Sequence, residues 1–196
     1  LPALSTVQNF VNNYAKTNLA SHDRVQDISG MVNEKSDPSW TEDMHAAITF
    51  TSEYDADGKA CPGNGSDEKP FIVGVTTKSL LRRLNRPAES FVFHIDATYK
   101  LSRKGYPVLV IGISDHSRTF HLVAFCIVSQ TTQPVYTAAL AAFHRVYTKV
   151  TGQIVRLENV MGDADDAQYN ALQAVFGHTS TYNFLMCFFS RAVERE

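Results

Sequence analysis

Two aspartates set the chemistry that this sequence can do. Residues 91–101 alternate in the manner of a strand, with Phe91, Phe93, Ile95, Ala97 and Tyr99 on one side and Val92, His94, Asp96 and Thr98 on the other. An acid in the middle of such a strand has two readings. It is either neutralised by neighbouring donors, the ordinary fate of a buried carboxylate, or held on a rigid element as a ligand. A second acid, Asp163, directly follows the apolar stretch 154–161. If these two strands are neighbours, both carboxylates reach one edge of a sheet. Two acids there can bridge a pair of divalent cations roughly 3.5–4 Å apart, the arrangement that drives in-line phosphodiester displacement. Oxygen-only ligation selects Mg2+ or Mn2+. Asp165 and Asp166 compete for the second role, but Asp165 with Gln168 reads as a helix-capping pair. His94 shares the face of Asp96 and reads equally as a site residue or a packed one. His121 reads as structural, and His144 as a surface residue on the polar flank of a helix.

The elements that must position these acids begin at residue 70. Residues 71–75 read as a short strand and 77–84 as a short helix ended by Arg86-Pro87. The alternating strand follows. The apolar run of residues 108–113 suits a strand buried on both faces, and residues 119–129 form a third strand, giving an antiparallel meander. Thr131 or Thr132 caps a long helix with Pro134 in its first turn and Gly152 at its end. A fourth strand over 154–161, a helix from Asp165 to Gly177 and a fifth strand over 182–189 complete an α/β order with a mixed five-stranded sheet and flanking helices. Ahead of it, residues 1–70 form an acidic extension, helical and then rich in loops. Its first helix has Leu4, Val7, Phe10, Val11 and Tyr14 at helical spacing, and a second runs near residues 22–32. Residues 47–54 can form a strand ahead of an Asp57-Gly58 turn.

The composition, 44% hydrophobic and 19% charged over 196 residues, is that of an ordinary folded chain. No apolar run approaches the ~20 residues of a membrane span, and no secretory leader is present, so an intracellular protein away from membranes is expected. Three distant cysteines, Cys61, Cys126 and Cys187, argue against a disulfide framework. Charge is uneven. Residues 1–70 hold 5 Lys and Arg against 11 Asp and Glu, whereas residues 71–196 hold 13 against 9. Lys78, Arg82, Arg83 and Arg86 lie ahead of the alternating strand, and Lys100, Arg103 and Lys104 lie just after it. Each cluster reads as a solvated face or as a contact to a polyanion such as DNA.

The combined pattern resembles the catalytic domain of Mutator-like element (MULE) transposases. The residues that carry the resemblance are His94-Ile95-Asp96-Ala97-Thr98-Tyr99-Lys100-Leu101, Gly105-Tyr106-Pro107-Val108, Gly112-Ile113-Ser114-Asp115 and Phe120-His121. Met161-Gly162-Asp163, Tyr169-Asn170-Ala171 and Leu185-Met186-Cys187-Phe188-Phe189 complete it. It covers residues 71–189 and implies a ribonuclease H-like domain over residues 71–196. It implies transposition of DNA by metal-dependent cleavage and strand transfer, with Asp96 and Asp163 as catalytic metal ligands, work in the nucleus, and oligomers of the full-length form. Three departures accompany it. The family's third acid, a Glu beyond a helical insertion, has no counterpart here; Glu194 and Glu196 stand 31 and 33 positions after Asp163. Cys187 is followed three residues later by Ser190 where the family has His. The end from Ser190 to Glu196 is unlike the family. A C-terminally incomplete domain, inactive as this fragment, is therefore expected, with a non-enzymatic DNA- or protein-binding regulator as the competing reading.

Overall fold

The computed structural model describes residues 25–36, 42–99 and 105–186. The expected first helix, the basic residues Lys100, Arg103 and Lys104, and Cys187, Ser190, Glu194 and Glu196 lie outside the described residues. A seven-stranded sheet organises the rest. In chain order its strands are β1 (Ile48–Phe50), β4 (Ile72–Thr76), β5 (Phe91–Thr98), β6 (Val108–Asp115), β7 (Phe120–Val128), β8 (Asn159–Gly162) and β9 (Asn183–Met186). A separate two-stranded hairpin, β2 (Glu53–Tyr54) and β3 (Ala60–Cys61), precedes β4. The spatial order is β1-β4-β7-β6-β5-β8-β9.

The meander β5-β6-β7 is antiparallel throughout, because its connections are too short to cross over. β8 lies parallel beside β5, and β9 parallel beside β8. Each of these parallel joins needs a crossover, supplied by α3 (Gln133–Thr151) and α4 (Asp166–Phe176). Thr132 precedes α3, Pro134 sits in its first turn, and Gly152 ends it at φ +71°, a left-handed conformation that glycine adopts without strain. The sheet has seven strands rather than five because residues 48–50 and 72–76 pair on as an outer edge beyond β7. The fourth strand is also shorter than expected. Only Asn159–Gly162 pairs, and Val155 and Leu157 are buried ahead of it as irregular chain.

Helices α3 and α4 cover one face of the sheet. Phe93 is fully buried there, its ring 6.4 Å from Phe143 of α3 and 6.1 Å from Phe176 of α4. Burial of each such side chain stabilises the fold by about 1.5–3 kcal/mol. The expectation that the run 108–113 is buried on both faces is corrected. Leu109, Ile111 and Ile113 are fully buried, whereas Val108 and Val110 on the other face are half-buried. Among the described residues, that second face carries a covering helix at one end. There α1 (Val25–Glu34) brings Val32 against Phe71, Val73 and Ile127, and Thr49 Oγ1 donates to the Val32 carbonyl at 2.8 Å.

His144 is also corrected. It does not lie on the surface but stands edge-on to Phe176 with a ring centroid separation of 5.7 Å. Burial holds its pKa below the ordinary value, and its Nε2 has no hydrogen-bond partner.

Candidate active site: two carboxylates on adjacent parallel strands

Register brings the two acids together. Phe93 pairs with Val160 and His94 with Met161 in the parallel β5-β8 ladder. The same register, continued two residues beyond the last pair, would bring Asp96 level with Asp163, with neighbouring chains of such a ladder about 4.8 Å apart. Asp96 is exposed, and Asp163, one residue past the end of β8, is half-buried. Both stand toward the carboxyl ends of the parallel strands, where ligands of open α/β sheets gather.

Asp163 is held from behind. Its backbone N–H donates to Gln168 Oε1 at 2.8 Å. Gln168 is wholly buried, and a side chain at Gly162 would collide with Oε1 at 2.3 Å. The expected capping pair is thus rearranged. Asp165 caps α4 alone, accepting from the Ala167 N–H at 2.9 Å, while Gln168 serves Asp163. Asp165 is committed to the helix end, and Asp166 is an exposed residue of its first turn.

One neighbour escapes sequence reasoning. Tyr136, in the first turn of α3, is almost fully buried. Its hydroxyl pKa is raised, first by burial and then by the charges of Asp165, Tyr99 and Asp163. It therefore stays a neutral hydroxyl, with Thr131 as a hydrogen-bond partner. Its place beside Pro134 at the helix start is the available signal in the sequence.

His94 does not join the acids. Its Nε2 lies 2.7 Å from Ser114 Oγ, Phe120 stands edge-on to it at 5.9 Å, and burial lowers its pKa. It is a neutral packed histidine about 7 Å along the strand from Asp96. His121 pairs with Asp115 at 3.0 Å, and that bond, with the N–H groups of Thr119 and Ser117, lowers the Asp115 pKa.

The first basic cluster lies at the opposite end of the sheet from the two acids. Lys78 lies in α2 (Lys78–Leu81), and Arg82 and Arg83 in the following 3-10 turn, at the end of the sheet where β5 begins. Arg83 Nη1 is spent on the Leu122 carbonyl at 2.7 Å. A groove of about 690 Å3 with Arg86, Glu89 and Arg156 in its wall opens at that same end. None of Lys78, Arg82 and Arg83 shares the carboxylate end.

As a donor set, two aspartates suit a hard divalent cation such as Mg2+, which takes one or two protein carboxylates and fills its remaining positions with water and phosphate oxygens. Among the described residues no group of three or more His, Cys, Asp or Glu is placed to hold a metal ion. Among the same residues no helix is long and apolar enough to cross a membrane.

A family model described as the MULE transposase domain matches residues 92–192. No curated protein and no solved structure gives a significant match.

Proposed function

This chain belongs to the MULE transposase domain family, and from that premise we propose that it is a transposase-derived domain acting on DNA phosphodiesters in the nucleus. The observation that supports the proposal is the parallel β5-β8 register, which pairs His94 with Met161 and, continued two residues, would set Asp96 opposite Asp163. The strand order β7-β6-β5-β8-β9, a meander continued by two parallel strands, supports a ribonuclease H-like reading of the part after residue 70. In that reading β4 and β1 are additions beyond the meander, and the part before residue 70 supplies the outermost strand and a covering helix.

Asp96 and Asp163 would hold Mg2+ or Mn2+, which when bound activates an attacking water or hydroxyl and stabilises the departing oxygen. The chain's own contributions are positional. The β5-β8 ladder holds the chain that leads to each carboxylate, and Gln168 anchors the backbone at Asp163. Tyr136 remains protonated and offers a neutral hydroxyl within the field of Asp163. Lys100, Arg103 and Lys104 follow β5 in the sequence and are by type suited to phosphate contacts.

A second reading is a non-enzymatic DNA- or protein-binding regulator, for which the described residues, with no group of three or more His, Cys, Asp or Glu placed to hold a metal ion, leave room. One experiment separates the two. Mn2+-dependent relaxation of supercoiled DNA is measured for this chain and for the Asp96→Asn/Asp163→Asn double variant. Cleavage lost in the variant supports the enzymatic reading. No cleavage by either, or equal cleavage by both, defeats it and leaves the binding reading.

A further inference from the structure

The groove at the end of the sheet where β5 begins is built by two distant segments. One links the 3-10 turn Arg82–Leu84 to the turn Ala88–Ser90 and carries Arg86 and Pro87. The other is the chain that returns from α3. Gly152 ends that helix in the left-handed conformation, and the residues after it alternate in burial. Val155 and Leu157 are buried, so Ile154 and Arg156 face outward.

Among the described residues the groove has three charged side chains in its lining, Arg86, Arg156 and Glu89, all exposed. None of the three makes a side-chain hydrogen bond or ion pair with another described residue. Other arginines of the molecule are committed. Arg83 donates to the Leu122 carbonyl, and Arg145 to the carbonyls of Thr51 and Ser52. Arg86 and Arg156 therefore keep their full planar sets of donors, which match a phosphate group two bonds at a time. The rest of the lining includes the buried Leu84 and Tyr147 and the exposed Ile154. A volume of about 690 Å3, mostly apolar walls and a few charged groups are the properties of a small-ligand site.

Glu89 narrows the class of ligand. A carboxylate in the wall repels a continuous phosphodiester backbone, but it accepts from a hydroxyl or a ring N–H. We propose that this groove binds a nucleoside monophosphate, with Arg86 and Arg156 on the phosphate, Glu89 on a sugar hydroxyl or ring N–H, and the ring against Leu84 and Ile154. The site lies at the opposite end of the sheet from Asp96 and Asp163, and the proposal does not rest on the cleavage reading.

The test is calorimetric titration of the full chain with the common nucleoside 5'-monophosphates, with adenosine and with inorganic phosphate. The expected result is saturable binding of at least one monophosphate, with adenosine and inorganic phosphate each weaker by about tenfold or more. Arg86→Ala and Arg156→Ala should each weaken the monophosphate by about tenfold or more. Arg82→Ala, at the same end but outside the groove, should leave it within about twofold. Glu89→Gln should reduce the preference for the monophosphate over inorganic phosphate. All four side chains are exposed, so the melting transition stays in place. No saturable binding of any monophosphate overturns the proposal. An equal loss in Arg82→Ala does so too, because it marks attraction to net charge alone. A single-stranded oligodeoxynucleotide that binds more tightly than the monophosphate, and loses that binding in Arg86→Ala/Arg156→Ala, also overturns it and makes the groove a DNA contact.

Discussion

The two faces of one sheet have solved different problems. Under α3 and α4, Phe93, Ile95, Leu109, Ile111 and Ile113 are fully or almost fully buried, and every alternate position is apolar. On the other face the alternate positions mix Val92, Val110 and Phe125 with His94, Ser114 and Asp96. A closed face cannot hold an unpaired carboxylate, because desolvation of the charge costs far more than packing returns. The open face can, and the acid opposite Asp163 is there. The same strand therefore provides rigidity from one side and chemistry from the other.

The sharpest way to break this comparison is a truncation on each face. Phe93→Ala should destabilise the fold by about 3–5 kcal/mol, since two aromatic neighbours lose their partner. Phe125→Ala on the half-buried face should cost about 1–2 kcal/mol. Urea denaturation of both variants checks the difference, and equal losses would mean that the open face is as tightly packed as the closed one.

Next in size is Gly162→Ala. Its new methyl group meets Gln168 Oε1, which burial leaves no room to retreat. A loss of about 1–3 kcal/mol is expected, together with weaker Mn2+ binding by titration, because the backbone at Asp163 must move.

Gln168→Leu is a finer probe. It removes the acceptor of the Asp163 N–H but also a buried amide nitrogen without a partner. The two effects oppose, so stability should change by about 1 kcal/mol or less, while Mn2+ affinity falls. Asp96→Asn should be milder still, within about 0.5 kcal/mol by denaturation, because the carboxylate is exposed. It should nevertheless abolish cation binding at the pair.

The smallest effect concerns protons. Burial lowers the pKa of His94 and His144 below the ordinary value of 6.5. The unfolded chain then binds more protons than the folded one just below pH 6.5, so stability is complete above that pH and declines as pH falls toward the folded values. His144→Phe should flatten this decline in pH-dependent melting curves. A slope unchanged by the substitution would mean that His144 is as well hydrated as an open-face residue.

Much of this was legible in the residues themselves. The alternation at residues 91–98 dictates which side of β5 is apolar, because successive side chains must point to opposite faces. Thr77 caps its short helix, and Gly152 ends the long one through a backbone conformation that glycine tolerates. The motif around Asp96 and Asp163 marks the family. Other features were illegible for physical reasons. The apolar run of β6 has the same composition whether one face or both are covered, and only the placement of helices decides that. His144 looks polar in a helical pattern, yet α4 folds over it.

The sequence by itself determined the local periods, the caps and the types of group that could meet, since these depend on neighbours a few residues away. The tertiary structure alone decided that β8 runs parallel beside β5 in the register that pairs His94 with Met161. It alone assigned Gln168 to Asp163 rather than to the helix cap, and buried Tyr136 within the field of Asp165 and Asp163. It alone separated Lys78, Arg82 and Arg83 from them. These are contacts between segments tens of residues apart, set by which crossovers bury the most apolar surface, and no local pattern encodes that choice.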